Sequence, residues 1–382
     1  MLTEQIYECF NMNDGSFAIN IFVDFKKCFD TIDHEILINK LEMYGITGMA
    51  LNLIANYLAN RTQSVRVGKA ISSPKAITKG IPQGSILGPL LFLFFINDLT
   101  NISNNLVPLL YADDTTLNFK CSTIEEANVL CNTELQTFFT WASSNRLSIN
   151  FGRDKTYYML HSFRTLDLSD LQISMNDNVL ENFDEAPFLG VILDKKLNYQ
   201  PQIDHIAKQI SKSIGILYKL RCLKTPRRVL KQAHDSLILP YLNYCICCYS
   251  GTYSTHLNRL LLLQKRAIRI INNAPFLAHT DPLFLSSGIL KIYDLYKLNV
   301  GAYMFDHWQS GGFNRTHQYN TRNRDDLLPN RPRLTVARNS LSVAGPNIWN
   351  TIPSDIQNSL SKGSFKFRYK QYLLSQYLDQ GD

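Results

Sequence analysis

Three aspartates stand out by position. Asp113 and Asp114 lie side by side in "LLYADDTTLNF" (109–119), between two apolar runs, and Asp24 closes the apolar run "AINIFVDF" (18–25). Adjacent carboxylates raise each other's cost of ionising unless a positive charge sits on them. A carboxylate at the end of a buried strand is costly unless it is paired or bound to metal. Taken singly, Asp24 reads as a capping residue and Asp113–Asp114 as a polar turn. On neighbouring strands the three would converge, and such a cluster suits divalent cations. Mg2+ takes oxygen ligands, keeps several waters, and is held by one or two carboxylates plus substrate phosphates. Two such ions about 4 Å apart lower the pKa of an attacking hydroxyl and stabilise the leaving oxygen of an in-line displacement. That is the chemistry of nucleotidyl transfer.

"GIPQGSILGP" (80–89) suits the same kind of site. Its glycines and prolines fix a tight backbone, Gln83 supplies donors and acceptors, and a helix starting just after it would aim its first amides at a phosphate. In isolation an ordinary strand-to-helix turn is the readier reading. Phe29, five residues past Asp24, would exclude a 2′-hydroxyl beside a sugar and is otherwise core. Lys155 would face a pyrophosphate leaving group as cation or proton donor, or is a solvated loop lysine.

These residues need elements to hold them. The run 18–25 reads as a buried strand ending at Asp24. Asp33 is the N-cap of a helix with Ile36, Leu37, Leu41 and Tyr44 at helical spacing, ended by Gly45. A second helix covers roughly 47–59, "QSVRVG" (63–68) alternates like a strand, and "ILGPLLFLFFI" (86–96) reads as a buried helix, about half the length of a membrane span. The aspartate pair sits at the tip of a hairpin with strands near 106–111 and 116–120. Residues 123–146 are helical, "LSIN" and "YYMLH" are short strands flanking Lys155, and "EAPFLGVILD" (185–194) is a strand pair. From about 200 the pattern turns helical, with Ile203, Ile206, Ile210, Ile214 and Leu217 on one stripe and Lys208, Lys212 and Lys219 off it. A basic amphipathic helix runs 256–271, 310–340 is a polar linker, and 355–378 is a short helical unit. The order of elements predicts an α+β domain followed by helices.

The 382 residues, 45% hydrophobic, are enough for two or three domains with real cores. The start lacks a secretory pattern and no run spans a membrane, so an intracellular protein, nuclear and/or cytoplasmic, is expected. Eight cysteines without a disulfide-type pattern fit a reducing compartment. Cys245, Cys248 and His256 could begin a zinc knuckle, but position 261, where a fourth ligand would be sought, is Leu261. Buried thiols are the simpler reading. Between 201 and 270 there are twelve Lys/Arg against two Asp, a local excess larger than the whole chain's +7. That points to a polyanionic partner or to a solvated helix surface.

Several stretches together resemble the palm motifs of reverse transcriptases, in the wording of jockey-like non-LTR retrotransposons. They are "FVDFKKCFDTIDHEILINKLEMYGITG", "YLANRTQ", "GIPQGSILGPLLFLFFINDL", "YADDTTL", "LSINFGRDKT" and "FLGVILD". "LILPYLNYCICCYSGTYSTHLNRLLLLQKRAIRII" and "GPNIWNTIPSDIQ" resemble the thumb-side and C-terminal segments. The resemblance implies a right-hand polymerase palm in 1–200, an antiparallel sheet with helices, and a helical thumb-like region in 201–309. A linker (310–340) and a C-terminal helical segment (341–382) complete it. It implies Asp24, Asp113 and Asp114 as the metal-binding catalytic triad for two Mg2+ ions, or Mn2+, with the Phe25 carbonyl as a further ligand. It implies Phe29 as sugar gate, Gln83 and Gly84 beside the incoming dNTP and template, and Lys155 near the triphosphate. Phe188, Leu189 and Gly190 match the primer grip. Lys208, Lys212, Lys219, Arg227 and Arg228 match backbone-tracking cations. The implied partners are an RNA template, a DNA primer and dNTPs.

In that family a fingers segment with a basic triphosphate patch precedes the first palm strand, and here 23 residues precede Asp24. The expectation is therefore a fragment lacking most of the fingers and the endonuclease, with fingers supplied by an upstream segment or a partner. Two competing readings follow. One is a nucleic-acid-binding remnant without catalysis. The other is an RNA-directed RNA polymerase, which the bulky Phe29 argues against.

Overall fold

The computed structural model describes residues 2–11, 15–152, 154–307, 326–329, 331–332 and 336–378. The chain divides into two compact units. One runs from Asp14 to Asp184, and the other joins Thr3–Asn13 to Glu185–Asp382. Along the chain, helix α1 (Leu2–Asn11) precedes strand β1 (Phe17–Val23), the short α2 (Cys28–Thr31), α3 (His34–Met43) and α4 (Gly48–Leu58). Four short strands follow: β2 (Arg61–Gln63), β3 (Arg66–Val67), β4 (Ala70–Ile71) and β5 (Lys75–Ile77). Then come α5 (Leu87–Ile96), β6 (Val107–Tyr111), β7 (Asp114–Cys121), α6 (Ile124–Ser144), β8 (Tyr157–His161), β9 (Ser174–Met175) and β10 (Asn178–Val179).

The first unit is built on one antiparallel sheet in the order β6–β7–β1–β8. Its central strand β1, "FAINIFV", is buried at every position, which is why it reads as an apolar run broken only by Asn20 rather than an alternation. Phe17, Ile19, Ile21 and Val23 join one core with Leu91, Phe92 and Phe95 of α5 and Leu135 and Phe138 of α6. Local chemistry sets the helix ends. Asp33 caps α3 by accepting from the Glu35 and Ile36 amides, and Gly45 takes φ +88 just past its end. Thr123 caps α6 through the Glu126 amide, while the Glu126 carboxylate reaches back to the Ser122 amide. Asn128 and Asn132 then hold the 170–174 backbone against α6.

The α+β expectation holds, with local corrections. The 63–68 stretch is not one strand. It divides between β2, paired with β5, and β3, paired with β4. "LSIN" forms only a single bridge, Ile149 to Phe25. Helix α5 is buried on one side alone: Leu91, Phe92 and Phe95 are enclosed, while Leu90 and Leu93 are half exposed. Of the expected 310–340 linker, only 326–329, 331–332 and 336–340 fall within the described residues. Among the described residues no helix is long and apolar enough to cross a membrane, and all eight cysteines are free thiols.

The second unit opens with the hairpin β11 (Glu185–Phe188) and β12 (Val191–Asp194). Helices follow: α7 (Gln200–Cys222), α8 (Arg227–Leu237), α9 (Leu239–Asn243), α10 (Ile246–Tyr249) and α11 (Ser254–Ile271). The rest are α12 (Asp281–Ser287), α13 (Ile292–His307), α14 (Leu341–Trp349), α15 (Ser354–Gln357) and α16 (Lys362–Ser375). The predicted isoleucine stripe of α7 is fully buried, and α7 packs along α11. Gln264 of α11 bridges the Leu290 carbonyl and the Ile292 amide inside the core. Tyr377 ties the end of the chain to Lys291 and Asp294. Gly301 lets α13 and α16 close, since a Cβ there would meet the Tyr369 ring at 3.0 Å. Cys245 and Cys248 are partly buried free thiols that lie beside each other, and His256 bonds Thr252.

Asp33 also pairs with Arg146 at 2.5 Å. Burial pushes its carboxyl up, but the Arg146 guanidinium and the two capped amides outweigh that and hold it below the usual range. A carboxyl lowered by folding stabilises above its unfolded value of about 3.9, and that stability is lost as pH falls through the folded value. Asp33→Ala is therefore expected to cost about 1–2 kcal/mol at neutral pH and to flatten the loss of stability below about pH 4. Urea unfolding across that pH range checks both, and identical acid limbs in the two proteins would place the effect elsewhere.

Candidate active site

Strands β1 and β7 pair with Val23 opposite Thr115. The next step along this register brings Asp24 level with Asp114. In the hairpin, Tyr111 pairs with Asp114, so Ala112 and Asp113 form a two-residue turn and Asp114 already belongs to β7. Ala112 takes φ +52, the left-handed conformation that a two-residue hairpin turn uses, at a cost of about 1–2 kcal/mol for a residue with a Cβ. Partial burial and then the charges of Asp113 and Asp24 push the Asp114 carboxyl up. The Cys28 thiol lies against Asp113; its own burial and that charge raise it to about 12. The three carboxylates thus share one electrostatic field at one end of the sheet.

Asp24 is held from its other side by the 148–156 segment. Its amide donates to Thr156 Oγ1 at 3.3 Å, and its carbonyl accepts from the Asn150 amide at 2.8 Å. Its carboxylate accepts from Asn150 Nδ2 at 2.7 Å, with Lys155 Nζ at 3.9 Å. The Lys26 amide reaches the Ser148 carbonyl. In this bridge the Phe25 carbonyl therefore points to the opposite edge, the one β7 flanks. Among the described residues no three acidic, thiol or imidazole groups stand close enough to share an ion. The Asp24 carboxylate instead faces Asn150 and Lys155. The donor set nonetheless fits a hard divalent cation: it is all oxygen, and the like-charge repulsion on Asp114 is what a cation relieves.

The 80–89 loop forms one wall of a cavity of about 480 Å3 that Arg61, Lys79 and Asp30 also line. Gln83 donates to Asp30 at 2.8 Å. Phe29 stacks on Phe92 with centroids 4.4 Å apart, and its carbonyl accepts from the Ile81 amide. Ser85 caps the start of α5 by accepting from the Gly88 amide. One of the amides expected to be open to a phosphate is therefore engaged.

In the second unit, Phe188 pairs with Val191 across a turn whose central residues, Leu189 and Gly190, take φ +46 and +77. The Tyr244 hydroxyl donates to the Leu189 carbonyl at 2.5 Å. Lys208, Lys212, Lys219 and Arg228 are exposed, whereas the Arg227 guanidinium is engaged with Ser286 and Ser287. Residue-by-residue reading of the sequence missed Cys28, Asn150, Thr156 and Tyr244, whose partners are distant in sequence, and the cations Arg61 and Lys79. The signal was that the stretches holding Cys28, Arg61, Asn150, Thr156 and Tyr244, "YLANRTQ" and "LSINFGRDKT" among them, stand out as whole motifs.

Residues 3–193 match the family described as reverse transcriptase (RNA-dependent DNA polymerase), half of the chain. The chain belongs to this family. It is 27% identical over 307 residues to the RNA-directed DNA polymerase from mobile element jockey of Drosophila funebris, covering 76% of this chain and 33% of that one. It is 26% identical over 352 residues to the probable RNA-directed DNA polymerase from transposon BS of Drosophila melanogaster, covering 88% and 37%. Within the family it is thus similar to jockey-like, non-LTR members, and it spans about a third of the length of those relatives. A solved telomerase from Candida albicans aligns with 77% of this chain and 49% of its own at 11% identity and a TM-score of 0.30.

Two glycines of the 80–89 loop separate strain from space. Gly80 has φ +82 and an added Cβ would lie 2.6 Å from the Asp30 carbonyl oxygen; Gly84 has φ +79 and open space. Gly84→Ala is expected to cost about 1 kcal/mol from backbone strain alone, and Gly80→Ala at least roughly twice that. Urea unfolding of the two variants measures the difference, and equal costs would contradict the close approach at Asp30.

Proposed function

We propose that this chain is the palm and thumb of an RNA-directed DNA polymerase that joins a dNTP to a primer 3′-hydroxyl on an RNA template, within a non-LTR retrotransposon. The observation that carries the reading is the shared field of Asp24, Asp113 and Asp114 at adjoining ends of β1 and β7. In it, the unit Asp14–Asp184 is palm with a remnant of fingers, the helices from Gln200 are thumb, and the protein works inside the cell.

Asp24, Asp113 and Asp114, with the Phe25 carbonyl, would hold two Mg2+ ions, Mn2+ substituting. When bound, the ions supply charge neutralisation and a lowered hydroxyl pKa. The chain's own groups do the rest. Lys155, at 3.9 Å from Asp24, faces the leaving pyrophosphate as cation and proton donor. Phe29, fixed by its stack on Phe92, sets the room at the sugar 2′ position. Gln83 and Gly84 border the nascent base pair, Arg61 and Lys79 add positive charge to the cavity beside them, and the Phe188–Gly190 turn, braced by Tyr244, holds the primer end.

Primer extension by the full chain on an RNA template tests this. Loss of one ligand removes several kcal/mol of transition-state stabilisation, so Asp113→Ala should lower the rate about a hundredfold or more. Extension that survives the substitution would sink the assignment. A wild-type chain that binds RNA·DNA hybrid but never extends it would support the binding remnant. Phe29→Ala should gain ribonucleotide incorporation in the same assay; no gain removes the gate role.

A further inference from the structure

The packed pair α7 and α11 leaves a groove of about 1190 Å3 along its outer side. Lys208 and Arg221 line it from α7, and Arg259, Arg266 and Arg269 from α11. These three arginines are seven and three residues apart, one stripe about 15 Å long on a helix. Asp204 is the single acidic residue in the lining, and it is paired with Arg259.

Two aromatic rings interleave with these cations. Tyr218 is 51% exposed, with the Arg221 guanidinium 5.1 Å from its ring. Phe276 is 78% exposed, with Arg269 at 5.9 Å. The loop that carries Phe276 is pinned, because Arg269 Nε donates to the Ala278 carbonyl and the Ala274 amide to the Arg269 carbonyl. Phe276 is thus a held, exposed ring beside a cationic stripe. Aromatic rings beside a cationic groove are the arrangement on which single-stranded nucleic acid stacks.

We propose that this groove holds an unpaired stretch of RNA, its phosphates on Lys208, Arg221, Arg266 and Arg269 and its bases stacked on Tyr218 and Phe276. The charge alone would suit any polyanion. The rings select further: a duplex hides its base faces inside its own stack, while an unpaired strand offers them to aromatic and guanidinium planes. The choice of RNA rests on the reading of the chain as an RNA-copying enzyme; the choice of an unpaired polyanion rests on the groove alone.

The test uses the full chain and the fluorescence anisotropy of a labelled oligouridylate of about 12 nucleotides. Tyr218→Ala and Phe276→Ala, both at exposed positions, should each weaken binding roughly 5- to 10-fold and leave the salt dependence unchanged. Arg266→Gln should reduce the slope of log affinity against log salt by about 0.7. Binding of an RNA·DNA hybrid should be unmoved by the ring truncations. Unchanged oligouridylate binding in both ring variants, or an equal loss for the hybrid, would overturn the proposal. So would displacement of the RNA by polyglutamate at equal charge. Asp113→Ala should bind oligouridylate like wild type, so failure of the groove and failure of the polymerase reading are read separately.

Discussion

The first unit depends on one pairing, β1 against β7. β1 is the most deeply buried strand of its sheet, flanked on both edges, and its register with β7 sets what stands at the sheet's end. Strand side chains alternate faces, so a slip of one residue would turn Phe17, Ile19, Ile21 and Val23 out of the core. That apolar face fixes the register far more firmly than the aspartates do. Three like charges would disfavour their own approach; the burial of β1 and Leu117 holds the backbone that brings them level. The core thus sustains an electrostatic arrangement that would not assemble by itself.

The same logic explains the 148–156 segment. Asn150 and Lys155 put an amide and an ammonium against Asp24, and Thr156 ties the same turn to the Asp24 backbone while donating to the Asn150 carbonyl. These contacts hold the carboxylate in one orientation. They also stand where a cation would compete for it, so the orientation of Asp24 and the occupancy of the site are coupled.

What could be read from the sequence follows from how local each cause is. β1 was legible because six of its seven residues, all but Asn20, are apolar and leave few alternatives, α3 because Asp33 and Gly45 mark its ends, and the α7 stripe because its isoleucines keep helical spacing over nearly the whole helix. The hairpin was legible to within two residues; the error arose because Asp114 pairs rather than turns, and a lone Ala112 at positive φ leaves no sequence mark. The strands between 61 and 77 were misread because they are short and mostly exposed, with no face to reveal a period. The one-sided burial of α5 was hidden by its uniformly apolar composition: Leu90 and Leu93 look no different from Leu91 in sequence. The partners of Asp24 lie more than a hundred residues away, and no local pattern announces a contact at that distance.

The basic second half shows the same limit in another form. Counting charges found a positive region but could not sort its members. Arg227 is exposed but tied to two serines and Arg259 is neutralised by Asp204, while Arg221 and Arg269 lie over rings. A cation over an exposed ring differs from a cation on a bare helix: the pair presents a flat, polarisable surface with a charge fixed at its edge. Long-range charge governs how fast and how tightly a polyanion arrives, in a way that salt erodes. Stacking acts only at contact and is indifferent to salt at first order. A surface that combines the two discriminates by the state of the strand, paired or unpaired, rather than by its sequence. That discrimination needs no base-specific contact, only that Tyr218 and Phe276 stay exposed and fixed, which the packing of α7 on α11 and the pinned 274–278 turn provide.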